Sequence, residues 1–123
     1  MREIKFKFWN KKLHEMSGVF GLGVVWEYLV DQWGIFNWED VQKRQYTGLK
    51  DKNGKEIYEG DIVKLDSWEG VQQIVFIEGA FCLADKHGLY VGDIHYINHA
   101  DKNQVTIIGN IWENPELLKE AGA

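Results

Sequence analysis

The sequence of 123 residues is 45% hydrophobic and 27% charged, which is typical of one globular domain and excludes a disordered chain. Its net charge of −5 argues against a protein that tracks phosphate backbones, because such proteins are usually basic. The single Cys82 cannot form an intrachain disulfide, which fits a reducing compartment. Its neighbours in the sequence are apolar, which favours a buried thiol.

The N-terminus shows no targeting pattern, because charged and apolar residues alternate where a signal peptide has a continuous apolar run. The least charged stretch, from Met16 to Tyr28, is interrupted by glycines and is shorter than the roughly 20 apolar residues that span a bilayer. We therefore expect a cytoplasmic protein without a membrane partner.

The first elements have the pattern of a hairpin. Ile4, Phe6 and Phe8 alternate with polar residues, which predicts a half-buried strand. Residues 10–12 predict a turn, and residues 13–16 predict a short returning strand.

Residues 24–33 fit two structures. The spacing of Val25, Leu29 and Trp33 fits one face of a helix, whereas the β-branched and aromatic content suits a strand equally well. Asn37 followed by two acids favours the capped start of a short helix. We expect one or two short helical pieces over a sheet.

The middle of the chain predicts a hairpin and a strand. Asn53-Gly54 favours a type I′ turn, because both residues tolerate positive φ. A strand follows over residues 62–65, and we expect Asp61, after Gly60, to accept backbone N–H groups where it begins.

Further short strands separated by turns complete the predicted sheet, with Gly109 as a candidate bulge and a final short helix capped by Asn114. The pattern predicts a mainly β fold, with α+β as the alternative. We expect a small antiparallel sheet or a partly open SH3-like barrel with short helices, including the C-terminal one. The remaining predicted strands cover residues 71–77, 80–84, 89–91 and 105–112.

Three sequence blocks resemble the YopX-type proteins of bacteriophages and prophages: residues 1–6 with Trp9, residues 45–63 (QYTGLKDKNGKEIYEGDIV), and residues 107–118. The resemblance implies one YopX-like domain over residues 1–123, with a variable segment at about 19–41. It also implies a phage or prophage gene product of a bacterium and a β-rich fold that assembles into oligomers. It supplies no catalytic residues.

A group of aromatic and basic residues is the candidate binding surface. Such residues could stack bases or fill a groove of a partner, and the alternative is a core or oligomer contact. The candidates are Trp26, Trp33, Trp38, Lys43, Arg44 and Tyr46. The block of residues 45–63 is interpreted as a structural scaffold, with a recognition loop from Tyr46 to Glu59 as the alternative.

The pattern of histidines and acids does not form a known catalytic site. His95 and His99 are weak metal candidates, because a helix would place them on one side but no acid follows the first histidine as in zinc proteases. The glycines of residues 18–23 lack the ending of a phosphate-binding loop. We expect no metal, no cofactor and no enzymatic activity.

The leading hypothesis is a phage or prophage accessory protein that acts as a non-enzymatic, oligomeric binding module. Its expected partners are further copies of the chain and a host or phage protein. The alternatives are a nucleic-acid-binding protein, which the negative charge disfavours, and an inhibitor of a host protein.

Overall fold

The computed structural model describes residues 4–21, 25–34, 36–66, 68–93 and 105–120. The chain divides into two compact units, Met1–Tyr46 and Thr47–Ala123. The described part contains two antiparallel sheets, one of them a half-barrel, and a few short helices. The prediction of a mainly β fold with short helices, including a C-terminal one, is confirmed.

In the first unit, a strand is flanked by two antiparallel neighbours. Strand β1 (Phe6–Asn10) pairs with β2 (Glu15–Met16) and with the first part of β3 (Val41–Lys50). A turn over residues 11–14 joins β1 to β2, slightly later than the predicted residues 10–12, and the returning strand is shorter than the predicted residues 13–16.

Helix α1 (Val25–Trp33) shows that the stretch with the spacing of Leu29 and Trp33 is a helix and not a strand. Leu29 and Trp33 are four residues apart, so that they lie on the same side of the helix, and both are buried with Phe8. A 3-10 turn follows at Trp38–Asp40, but the side chain of Asn37 makes no capping hydrogen bond, so the predicted cap is wrong in that detail.

The second unit contains the remaining strands and the final helix. Its five-stranded sheet has the order β8-β7-β6-β5-β9, and its core contains Ile57, Val63, Ile74 and Leu83. The later part of β3 pairs with β4. The elements are β4 (Glu56–Tyr58), β5 (Asp61–Leu65), β6 (Gln72–Ile77), β7 (Ala80–Ala84), β8 (Tyr90–Asp93), β9 (Val105–Asn110) and α2 (Glu116–Glu120).

The predicted type I′ turn at Asn53-Gly54 is wrong. Among the described residues, positive φ at this turn occurs at Gly54 (82°) and not at Asn53. The Asp51 carboxylate explains the difference, because its Oδ1 accepts hydrogen bonds from the N–H groups of Asn53 (2.8 Å) and Lys55 (2.9 Å) and imposes a longer loop. Positive φ at both turn residues occurs instead at Glu78 and Gly79.

Asp51 also fastens this loop to strand β9. Its Oδ2 accepts a hydrogen bond from the N–H of Ile107 at 3.0 Å, and the N–H of Lys52 donates to the carbonyl of Val105 at 2.9 Å. Because β9 ends the order of its sheet, the loop covers backbone groups that an edge strand would otherwise expose.

The block around Gly60 is held by a hydrogen bond and by close packing. The Asp61 carboxylate accepts a hydrogen bond from the N–H of Tyr58 at 2.7 Å, as predicted for this acid. Gly60 itself has φ +88°, and a Cβ there would collide with the indole of Trp112. The indole of Trp112 therefore leaves no room for a side chain at position 60.

Asn114 makes a side-chain hydrogen bond in the C-terminal region. The side-chain oxygen of Asn114 accepts from the N–H of Asn110 at 3.1 Å and therefore joins the end of β9 to the start of α2. The pairing register between β5 and β9 shifts beside Gly109, which agrees with the predicted bulge.

Cys82 is buried, as expected. Within the described ranges, no helix combines the length and apolar character needed to cross a bilayer.

Candidate functional site

Aromatic side chains gather in the first unit where three elements meet. Phe8 comes from β1, Trp33 from the end of α1, and Phe36 and Trp38 from the connection that follows. The ring centroids of Phe36 and Trp38 are 5.0 Å apart at 80°, and those of Trp33 and Phe36 are 5.8 Å apart at 87°. These edge-to-face pairs form a rigid aromatic wall, because each ring restricts the next.

A cavity of about 170 Å³ lies against this wall. Its lining is mixed, with three apolar side chains and four polar ones. Leu13 is 47% exposed and Trp38, beside the cavity, is 50% exposed, so the region is accessible from solvent. We call this site the aromatic cavity, and its lining residues are Asn10, Lys12, Leu13, Trp33, Phe36, Asn37 and Asp40.

The β1–β2 turn builds the other side of the aromatic cavity. Asn10 is buried, and its Oδ1 accepts hydrogen bonds from the N–H groups of Lys12 and Leu13, both at 3.0 Å. The N–H of Lys11 donates to the carbonyl of Asp40 at 2.6 Å and holds the turn against the 3-10 segment. The cavity is therefore held open by hydrogen-bonded backbone as well as by aromatic rings.

Trp33 carries a hydrogen-bonding group that the described residues do not satisfy. Its side chain is 9% exposed, and its Nε1 is buried without a hydrogen-bond partner in the described part of the chain. A buried donor without an acceptor costs about 1–3 kcal/mol.

The structure brings together two of the six predicted binding residues. Trp33 lines the aromatic cavity, and Trp38 contacts its wall through Phe36. Trp26 lies in α1, with its side chain outside the described part of the structure. Tyr46 is buried, with the Nζ of Lys5 5.3 Å from the centre of its ring.

The two predicted basic residues do not form one patch. Lys43 is exposed, and its Nζ lies 5.3 Å from the centre of the Phe6 ring. Arg44 is only 2% exposed, because neighbouring residues of a strand point to opposite faces and its face is covered. Arg44 donates instead to the sulfur of Met16 at 3.6 Å.

Sequence reasoning missed the polar side of the site. Asn10 and Leu13 were assigned to a turn and a strand, and Asp40 to a helix start. These residues line one cavity because β1 pairs with β3, which brings Asn10 opposite Val41 and next to Asp40. The predicted Asn10 turn was the only local signal.

The metal expectation is not decided by the structure. His95 and His99 lie outside the described residues. Among the residues that are described, no group of three or more His, Cys, Asp or Glu side chains is placed to hold a metal ion.

Comparison with known proteins identifies the family. The family model described as YopX protein matches residues 5–119, which is nearly the whole chain. The chain belongs to the YopX family. A solved structure from Enterococcus faecalis, titled protein EF1440, is similar to this YopX chain with a TM-score of 0.64 and 26% identity over 96% of this chain and 99% of that one. No protein with a curated functional description matches.

Proposed function

We propose that this YopX-family protein is a non-enzymatic binding module that docks a protein partner at the aromatic cavity. In this proposal it is an accessory protein of a phage or prophage, assembles with further copies of itself, and acts in the cytoplasm of the bacterial host. The family membership and the similar structure from Enterococcus faecalis support the bacterial setting. The partner is a host or phage protein.

The observation that carries the proposal is an accessible cavity walled by large aromatic rings. A volume of about 170 Å³ exceeds the roughly 150 Å³ of an apolar cavity that holds benzene, so a leucine or phenylalanine side chain fits. Protein interfaces concentrate their binding energy in pockets of this kind, with tryptophan enriched among the contributing residues. The half-exposed Trp38 lies beside the cavity and supplies apolar area around it.

Nucleic-acid binding is the weaker alternative. The burial of Arg44 removes one of the two cations that were expected beside the aromatic residues. The net charge of −5 opposes phosphate binding. Inhibition of a host protein is a narrower form of the leading proposal, since it specifies which partner is bound and with what effect.

A tagged pull-down from host lysate tests the proposal, with wild-type protein and Leu13→Arg as baits and with and without nuclease. Leu13 is half-exposed, so arginine is compatible with folding while it places a charge at the cavity. We expect one protein to be captured by the wild type regardless of nuclease and to be reduced at least tenfold with Leu13→Arg, the size of a hot-spot loss.

Leu89→Arg is the matched control, because Leu89 is also exposed but lies in the second unit. It should capture the partner as the wild type does. Equal losses with both arginine variants would show that the added charge acts without reference to the cavity. Captures that disappear with nuclease would instead establish the nucleic-acid alternative.

A further inference from the structure

We infer that the aromatic cavity selects its partner segment by charge as well as by shape. An apolar side chain of the segment fills the cavity, an acidic residue on one side of it faces Lys12, and a basic residue on the other side faces Asp40. This inference rests on the proposed function and specifies the chemistry of the docked segment. Lys12 and Asp40 are then the residues that determine specificity.

The two ionisable residues of the cavity lining have opposite signs and come from different segments. Lys12 belongs to the β1–β2 turn, and Asp40 belongs to the 3-10 segment. The N–H of Lys11 donates to the carbonyl of Asp40 at 2.6 Å, which holds the two segments together through backbone atoms. Both charges therefore stay at the cavity while their side chains are free to change rotamer.

The neighbouring residues repeat this polarity. Lys11 is exposed beside Lys12, and Glu39 is exposed beside Asp40. Glu15, the acid nearest to the turn along the chain, lies in β2 and does not line the cavity. The turn is thus a basic border of the cavity, and the 3-10 segment is an acidic one.

The two lining charges act on whatever fills the cavity. In the described part of the chain, Lys12 and Asp40 do not form an ion pair with each other. Residues that line a cavity of about 170 Å³ lie within a few ångströms of its occupant, and charges interact over about 8 Å at physiological salt. A segment with one acid and one base beside its apolar anchor is attracted at both borders, whereas two like charges are attracted at one border and repelled at the other.

NMR of ¹⁵N-labelled wild-type protein tests this inference with five acetylated and amidated tripeptides that share a central leucine. The flanking residues are glutamate and lysine in either order, two glutamates, two lysines or two glutamines. Peptides that occupy the cavity should shift the backbone resonances of Leu13 and Phe36. One of the two mixed peptides should bind about two- to fivefold tighter than the glutamine peptide, the effect of exposed ion pairs, and the like-charged peptides should not. Salt at about 1 M, where the Debye length is about 3 Å, should remove this preference.

Lys12→Glu gives a second readout, because it makes both lining charges negative. It should change the preference, so that the peptide with two lysines binds tightest. Lys64→Glu is the matched control, because Lys64 is also exposed and the net charge changes equally, but the residue lies in the second unit. It should keep the wild-type order of affinities. If Lys12→Glu does not fold, the five peptides on the wild type still decide the result.

The outcomes separate the inference from the proposed function. Shifts at Leu13 and Phe36 with a glutamine peptide that binds as tightly as the mixed ones would overturn selection by charge and retain an apolar docking cavity. Tightest binding of a like-charged peptide to the wild type would overturn the assigned polarity, as would the same change of preference in Lys12→Glu and Lys64→Glu. No shift of any cavity resonance with any peptide would overturn both the inference and docking at this cavity.

Discussion

Replacing Gly60 by alanine should lower the free energy of unfolding of the protein by about 2–5 kcal/mol. Two costs add. Gly60 has φ +88°, a conformation that costs an L-residue about 1–2 kcal/mol. A Cβ would also meet the Trp112 indole, and forcing extra volume into a packed site costs typically about 1–3 kcal/mol.

The backbone around Gly60 cannot move away without breaking further contacts. Its N–H donates to the carbonyl of Ile74 at 2.7 Å, and its own carbonyl accepts from the N–H of Ile111 at 2.9 Å. Relief of the collision therefore requires a shift of Trp112 or the loss of hydrogen bonds in the second unit.

Gly54→Ala is the matched control for Gly60→Ala. Gly54 has φ +82°, but a Cβ there would have no neighbour within 4 Å, so the expected loss is about 1–2 kcal/mol from backbone strain alone. Urea denaturation followed by circular dichroism measures both variants. Equal losses would show that the Trp112 indole does not occupy the space beside Gly60.

Replacing Asp51 by alanine should lower the free energy of unfolding by about 3 kcal/mol, because the carboxylate accepts hydrogen bonds from three backbone N–H groups. Asp51→Asn should cost less. Its oxygen can still accept from Asn53 and Lys55, but its amide group then faces the N–H of Ile107, which is also a donor.

Asp51 should also make stability depend on pH. Burial raises its pKa, but the backbone N–H groups of Ile107, Lys55 and Asn53, together with the Lys55 charge, lower the pKa below its ordinary value of 3.8. The pKa of Asp51 is lower in the folded protein than in the unfolded chain. The ionised carboxylate therefore stabilises the folded protein at pH values above the ordinary pKa of 3.8. The contribution is lost as pH falls through the folded pKa.

Denaturation midpoints measured from pH 7 down to pH 3 test this prediction. The wild type should lose more stability over this range than Asp51→Asn, which has no carboxylate to protonate. Asp66→Asn is the control, because Asp66 is exposed and its contact with Lys52 is a surface ion pair at 3.6 Å. A wild type and an Asp51→Asn variant with parallel pH profiles would contradict the role of Asp51.

Local patterns predicted the elements that short-range physics determines. Residues 80–84 were predicted as a strand with the bounds that β7 has, because an apolar run between two turns leaves few alternatives. Asp61 was assigned its backbone hydrogen bond from the Gly60-Asp61 pattern alone. The helical spacing of Leu29 and Trp33 was visible but could not be separated from strand propensity without the core that buries them.

Long-range contacts account for what the sequence did not show. The Asp51 carboxylate also accepts a hydrogen bond from the N–H of Ile107, which is 56 residues away in sequence, and no local pattern predicted that contact. The aromatic cavity depends on the hydrogen bond between Lys11 and Asp40. Arg44 was placed in the candidate binding surface because no local pattern reveals that its face of β3 is covered.

Site-specific photo-crosslinking in host cells tests the docking cavity most directly. A photoreactive phenylalanine analogue replaces Leu13 at the cavity in one variant and Leu89 in another, since both positions are exposed. The account predicts a crosslinked product with a second protein from position 13 and none from position 89. A product with that protein from position 89 alone, or only a dimer of this chain from position 13, would contradict it.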